Sequence, residues 1–405
     1  LKILVLNCGS SSVKYQLIDM SNRQWLAKGV VSRIGMSGAV LNQQRPDGHE
    51  VTISGEILDH IMAIEYVVTM LLSPNHGVIK DKGEIDAVGH RVVHGGEKFT
   101  QSCLVTPDVK QELRKLIELA PLHNPHNIRG INAAISNLPF VPNVAVFDTA
   151  FHHRMPDHAY IYGLPYGLYR TFKIRRYGFH GMSHAYVSRR LATIVDRGLN
   201  EMKVITCHLG NGASMAAIDG GTSVDTTMGF TPLEGLLMGT RSGDLDPAVI
   251  LHVMGREELS LHEANTLLNK HSGLAGISGV SGDMREVIKE MNNGTYSAKL
   301  AFNVYTYRIR KYIGAYAAAM GGLDAVVFTA GVGENSPLVR EESLQGLEFL
   351  GIKIDKARNE EAVGKEMIIS ADDSRVTVAA IPTNEELVIA IDTADIVAKS
   401  NGKQK

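Results

Sequence analysis

The 405-residue sequence is short of cysteine, of charge imbalance and of long apolar runs, and each shortage argues against a class of function. Three cysteines, Cys8, Cys103 and Cys207, are an odd number with no C-x-x-C spacing, which favours reduced thiols over a disulfide frame or a zinc knot. A formal net charge of −2 supplies no basic field to draw in nucleic acid or an anionic membrane, so any anion must be held by local chemistry. No stretch of about 18 apolar residues is uninterrupted; the best, 313–332, contains Asp324 and several glycines. The opening apolar run Ile3 to Leu6 stops at Asn7, too short for the core of a signal peptide, so the expected compartment is the cytoplasm. The sixteen histidines include no H-E-x-x-H. His123 with His126, and His180 with His184, have helical spacing for zinc, but Pro125 and Gly181 argue against a regular helix at either pair, and structural zinc is not expected.

What the chain does contain is one pattern used twice. KILVLNCGSSSVKYQLID, from Lys2 to Asp19, and KVITCHLGNGASMAAID, from Lys203 to Asp219, each read as a strand, a Gly-containing polar turn and a second strand ending in Ile-Asp. Aligning Gly9 with Gly210 and Asp19 with Asp219 takes one residue of slip. Copies about 200 residues apart imply two similar halves. Both turns combine open backbone N–H groups with hydroxyls or an amide, from Ser10, Ser11 and Ser12 in the first and Asn211 and Ser214 in the second, a shape suited to a phosphate.

Between the hairpins, Ile57, Ile61, Ile64, Val68 and Leu71 predict a helix over 56–72, and 85–93 reads as a buried strand delivering Arg91 and Val93 to its end. Thr106-Pro107 opens a helix to about 119. The strand 144–148 places Asp148 at its C-terminal tip, where ligands gather in open α/β sheets. After the second hairpin, helices are expected at about 247–254, 260–269, 283–291 and 296–320. A strand at 323–329 runs into a Gly-rich turn, AGVGEN, and a last strand, 376–381, leads through PTNEE into a C-terminal helix. The expected domains are 1–150 with about 386–405, carrying the first hairpin, and 151–385, carrying the second.

VLNCGSSSVK at 5–14 and MGFTPLEGLLMGTRSGDLDP at 228–247 resemble the two signature stretches of the acetate kinases, in the actin/Hsp70/sugar-kinase superfamily. GHRVVHGGEKF at 89–99, LAPLHNPHN at 119–127, VFDTAFH at 146–152, YGFHGMSH at 177–184, FTAGVGEN at 328–335 and IPTNEE at 381–386 extend the resemblance over essentially the whole chain. It implies an α/β, two-domain fold with a duplicated βββαβαβα-type core, a homodimer, and in-line phosphoryl transfer between ATP and acetate, assisted by Mg²⁺ or Mn²⁺. Alternatives on the same motifs are a propionate or other short-chain carboxylate kinase and, from a different class, an ATP-gated binding or filament protein.

Phosphoryl transfer needs positive charge around the moving group, metal across the nucleotide phosphates and exclusion of water. The resemblance implies that Arg91 and Arg241 clamp phosphate and carboxylate, that His180 bonds the equatorial oxygens of the moving phosphoryl, and that His123 and His208 assist. By the same resemblance Asn7, Asp148 and Glu385, with Glu386 adjacent, are the metal-associated groups. Ser10, Ser12, Lys14, Leu209, Gly210, Asn211 and Gly212 map to the phosphate turns. Asp283, Met284 and Arg285, together with Gly331, Val332, Gly333, Glu334 and Asn335, map to the adenosine segments, and Val93, Leu122, Phe179 and Pro232 to the pocket for the acetate methyl. Neither arginine is expected to matter for folding.

Overall fold

The computed structural model describes residues 1–402. It divides into two compact units, one built from Leu1–Ala150 with the chain from Asn384 onward, the other from Phe151–Thr383.

The first unit is an eight-stranded sheet of β1 (Lys2–Cys8), β2 (Ser12–Asp19), β3 (Gln24–Ser32), β4 (Ala39–Gln44), β5 (Glu50–Gly55), β6 (Ala87–Val92), β7 (Cys103–Leu104) and β8 (Asn143–Phe147), in the order β5-β4-β3-β2-β1-β6-β8-β7. The second unit holds β9 (Lys203–Leu209), β10 (Ala213–Asp219), β11 (Thr222–Thr226), β12 (Ala325–Thr329), β13 (Met367–Ile368) and β14 (Thr377–Ala380), in the order β11-β10-β9-β12-β14-β13. In both, an antiparallel meander, β3-β2-β1 or β11-β10-β9, is continued by two parallel strands and closed by a short antiparallel edge. This is the duplicated core expected from the sequence.

The parallel strands β8 and β12 are buried at every residue, as strands covered on both faces must be, which is why they read as unbroken apolar runs. In the first unit the helices His60–Leu72 and Asn124–Asn137 pack on each other, and the helix Glu385–Gly402 lies against β1, β6 and β8.

Register explains the one-residue slip. Pairing runs to Cys8↔Val13 in the first hairpin and to Leu209↔Ala213 in the second, leaving residues 9–12 in one turn and 210–212 in the other. Gly9 N donates to Ser12 O at 2.8 Å, and Gly210 N to Gly212 O at 3.1 Å.

Several sequence expectations shift. The helix expected from 56 begins at His60, because the Asp59 side chain accepts from Met62 N and caps it there. AGVGEN is a short helix, Ala330–Asn335, entered through Ala330 at φ 62°. Both histidine pairs do lie at helix starts, Asn124–Asn137 and Gly181–Ile194, because Pro125 and Gly181 occupy the first turn, where neither breaks an internal hydrogen bond.

Candidate active site

In the first unit β6 carries Arg91, and Asp148 follows β8 directly. Parallel pairing of these strands brings the two side chains together. Arg91 Nε donates to Asp148 Oδ1 at 3.0 Å and Nη2 to Oδ2 at 2.7 Å, a bidentate fork onto a carboxylate only 1% exposed. Burial pulls the Arg91 guanidinium down, but Asp148, Glu385 and Glu386 outweigh it and raise it overall. Glu385, at the start of the C-terminal helix, is pushed up by burial and by Asp148, against the pull of Arg91 and Lys14. Asn7 is the next-to-last residue of β1, Ser10 is exposed in the turn beyond it, and Ser12 opens β2.

The loop after β6 is held by two asparagines that sequence reasoning passed over. Asn127 accepts from Val93 N at 3.1 Å and donates to Cys8 O at 3.0 Å, tying Val93, two residues after Arg91, to the mouth of the first hairpin. Asn124 accepts from His94 N and donates to His94 O. A side chain at Gly130 would put its Cβ 2.3 Å from Cys8 Sγ, so this helix can approach β1 only without one. The signal was the HNPHN motif itself: two amides at helical spacing beside a proline that fixes the first turn.

In the second unit His180 and His208 stack with ring centroids 4.1 Å apart. His180 has left-handed backbone, φ 55°, at the start of its helix, a conformation that costs energy in any residue with a Cβ and gathers at functional sites. Its Nδ1 lies 2.9 Å from Ser214 Oγ, which also bonds His184 Nε2 at 2.8 Å, and His184 Nδ1 bonds Thr206 Oγ1. Burial holds His184 well below its ordinary value, so this ring is neutral at pH 7. Gly212 is flanked by Arg241 Nη1 and His180 Cε1, 3.4 and 3.6 Å from where a Cβ would stand. Arg241 Nη1 donates to Pro232 O at 3.0 Å, and its guanidinium is lowered by burial.

The same turn borders a cavity of about 830 Å³. Gly210 and Asn211 line it with Asp283, Met284 and Arg285 and with Gly331, Val332 and Asn335. Its size suits a nucleoside rather than a macromolecule. Asp283 caps the helix Met284–Asn292 and pairs with Arg285 at 2.6 Å. Tyr305, fully buried, lines the cavity too and was not foreseen, since its place in the long helix Tyr296–Met320 reads as core. Gly333 is buried and Glu334 half-buried, on the inner side of their short helix.

The four residues assigned to the acyl pocket fall two to each unit. Val93 and Leu122 are in the first, the latter 63% exposed; Phe179, buried, and Pro232 are in the second. Leu209 is buried at the end of β9, and His123 occupies the N-cap position of the helix that carries Asn127, with no capping bond from its side chain.

The model of the Acetokinase family matches residues 2–391. The chain belongs to the acetokinase family. It is 54% identical over 399 residues to an acetate kinase of Desulfitobacterium hafniense, covering 98% of this chain and 100% of that one. Among solved structures it resembles the acetate kinase of Porphyromonas gingivalis, at TM-score 0.95 and 49% identity, and a propionate kinase of Francisella tularensis, at 0.91 and 40%, each over 98% of this chain and 99% of the other. In this acetokinase chain one further residue stands out beside the cavity. Arg340 is fully buried, no ion pair to it is found among the described residues, and burial lowers its guanidinium to about 10. It gives five hydrogen bonds, to Gly333 O, Glu334 O, Asn359 Oδ1, Asn359 O and Ala362 O, and so closes the carbonyl end of the helix Ala330–Asn335.

Proposed function

We propose that the chain catalyses reversible, direct phosphoryl transfer between ATP and acetate, giving ADP and acetyl phosphate. The observation that carries this reading is the turn 210–212: Gly210 and Asn211 line a nucleoside-sized cavity, while Arg241 and His180 flank Gly212 of the same turn. A nucleotide in the cavity would have its phosphates lead to those two side chains. Similarity to acetate kinases over nearly full length favours acetate as acceptor, and the similar propionate kinase keeps a one-carbon-longer acid as the alternative.

In the mechanism, Arg241 and His180 meet charge on the oxygens of the moving phosphoryl with donors already fixed in place. Arg91 spends Nε and one N–H of Nη2 on Asp148 and keeps its remaining N–H groups for the acceptor. The acetate carboxylate is ionised at neutral pH and attacks without a general base. On this reading the hydroxyls of Ser10 and Ser12, the Lys14 ammonium, and the rings of His123 and His208 are further phosphate contacts, and Val93, Leu122, Phe179 and Pro232 are the residues proposed for the methyl.

Among the described residues no group of three or more His, Cys, Asp or Glu side chains is placed to hold a metal ion. Mg²⁺ needs less than that, one or two carboxylates with waters and phosphate oxygens completing its shell. Asp148 and Glu385, with Asn7, fit this demand, because Glu385 is raised by burial and by Asp148 and would be relieved by a cation. Mg²⁺ or Mn²⁺, when bound, neutralises charge on the nucleotide phosphates.

The reading includes a homodimer. The helix Pro247–Arg256 buries none of its residues and exposes Val249 at 51% and Leu251 at 68%, an apolar face that a second copy would cover. Among the described residues no helix is long and apolar enough to cross a membrane, and ATP as substrate places the reaction in the cytoplasm.

Purified protein incubated with ATP, Mg²⁺, acetate and hydroxylamine should yield acetyl hydroxamate. ATP turnover without hydroxamate would reject the reaction, and a kcat/KM higher for propionate than for acetate would move the assignment to the alternative acid.

A further inference from the structure

His208 stacks on His180 at the turn 210–212, and a line of hydrogen bonds runs from its far side to the nucleoside cavity. His208 Nδ1 lies 2.8 Å from Ser183 Oγ. Ser183 Oγ donates to Thr383 Oγ1 at 2.8 Å, and Thr383 N donates to Glu334 Oε1 at 3.0 Å. Glu334 belongs to the helix Ala330–Asn335, whose Gly331, Val332 and Asn335 line the cavity. Arg340 fixes the backbone of that helix through Gly333 O and Glu334 O. A serine hydroxyl has one proton. With that proton given to Thr383, Ser183 can only accept from the ring, so His208 carries its proton on Nδ1.

We propose that Ser183 and Thr383 are positioning residues that set the tautomer and orientation of His208, and that Glu334 ties this setting to the helix lining the nucleoside cavity. The inference rests on the phosphoryl-transfer reading, in which His208 and His180 face the phosphates. Neither Ser183 nor Thr383 touches substrate in this account; each acts through His208. Thr383 is anchored through its backbone N–H to the Glu334 carboxylate, its hydroxyl oxygen accepts from Ser183, and Ser183 is fully buried beside His208. Losing the Thr383 hydroxyl frees the Ser183 proton to point at His208 Nδ1, which moves the ring proton to Nε2 and changes what the ring presents to a phosphate oxygen.

Thr383→Val tests this in the full-length protein, since valine keeps the branched shape and the backbone bond to Glu334 but has no hydroxyl. With ¹⁵N-histidine labelling, and His208 assigned by its loss in His208→Gln, the parent should show His208 protonated at Nδ1 and the Val variant at Nε2. The kcat for hydroxamate formation should fall about 10- to 100-fold, the size expected when a reacting group is misplaced. KM for acetate should stay within about threefold, marking loss of transition-state rather than ground-state contact. Thr383→Ser, which restores the hydroxyl, should restore both tautomer and kcat. An unchanged His208 tautomer in Thr383→Val, or a changed one with parental kcat, would overturn the proposal. The tautomer is read without turnover, so a failure of the proposed reaction and a failure of this inference are separate results.

Discussion

Replacing Arg91 by alanine separates what the fork onto Asp148 does for stability from what it does for transfer. Arg91 is the nearest cation to a carboxylate that is 1% exposed, joined to it by bonds of 2.7 and 3.0 Å. Removing one partner of a buried pair leaves an uncompensated charge and costs about 3–5 kcal/mol, at the low end here because Arg91 itself is partly exposed. A loss of about 3 kcal/mol at pH 7 is therefore expected in Arg91→Ala, where the sequence alone suggested almost none. The double variant Arg91→Ala/Asp148→Asn removes the stranded charge and should recover most of that stability. Activity should not follow. Loss of a preorganised donor lowers kcat by on the order of 10²-fold or more, and Asn at 148 replaces neither Arg91 nor the metal-associated carboxylate. Denaturant titration and the hydroxamate assay on the two variants read the two effects independently. If the double variant regains activity with stability, Arg91 is only structural; if Arg91→Ala stays within about threefold of parental kcat, the clamp is wrong.

Val93 follows β6 and its N–H is fixed by Asn127, so Val93→Ala should deepen the acyl pocket without moving the loop. One buried CH₂ is worth about 0.8 kcal/mol, and apolar pockets discriminate one methylene by about 1–3 kcal/mol, so the propionate-to-acetate ratio of kcat/KM should rise roughly 5- to 50-fold. An unchanged ratio would remove Val93 from the pocket. Burial lowers His90 and His152 to about 4 and holds His184 well below its ordinary value, so all three fold neutral. Their folded values lie below the unfolded one, the unfolded chain binds more protons, and stability present above about pH 6.5 is lost as pH falls toward 4, by roughly 3 kcal/mol each for His90 and His152. Denaturation midpoints should drop steeply across that window; a flat profile from pH 6.5 to 4.5 would show that these rings are not buried neutral.

The duplicated hairpin was legible because each copy confines its chemistry to a short polar turn between apolar runs, and the slip between Gly9 and Gly210 is a real difference in turn length. Arg91 and Asp148 could be placed at strand ends from β-branched runs alone, but their pairing could not, since it depends on the register of two strands about 50 residues apart. Ser214 could be read only as part of the second turn, and Ser183 and Thr383 not at all, for a related reason. Each is a common hydroxyl whose role comes from the ring or carboxylate across from it, and only the fold brings those partners within 3 Å. Pro125 and Gly181 misled by identity, because residues that break a helix interior are at home in its first turn.

The account's central claim is that the carboxylate of acetate attacks the γ-phosphorus of ATP. Acetate labelled with ¹⁸O in both carboxylate oxygens tests it directly, with ATP, Mg²⁺ and hydroxylamine present. Attack through that carboxylate leaves one labelled oxygen bridging carbon and phosphorus in acetyl phosphate, and hydroxylamine, attacking at carbon, releases phosphate that retains it. Mass spectrometry of the released phosphate should find one ¹⁸O per phosphate and an equal amount of acetyl hydroxamate. Phosphate without ¹⁸O, its three γ-phosphoryl oxygens joined by one from unlabelled water, would mean that the chain hydrolyses ATP instead, and would contradict the account.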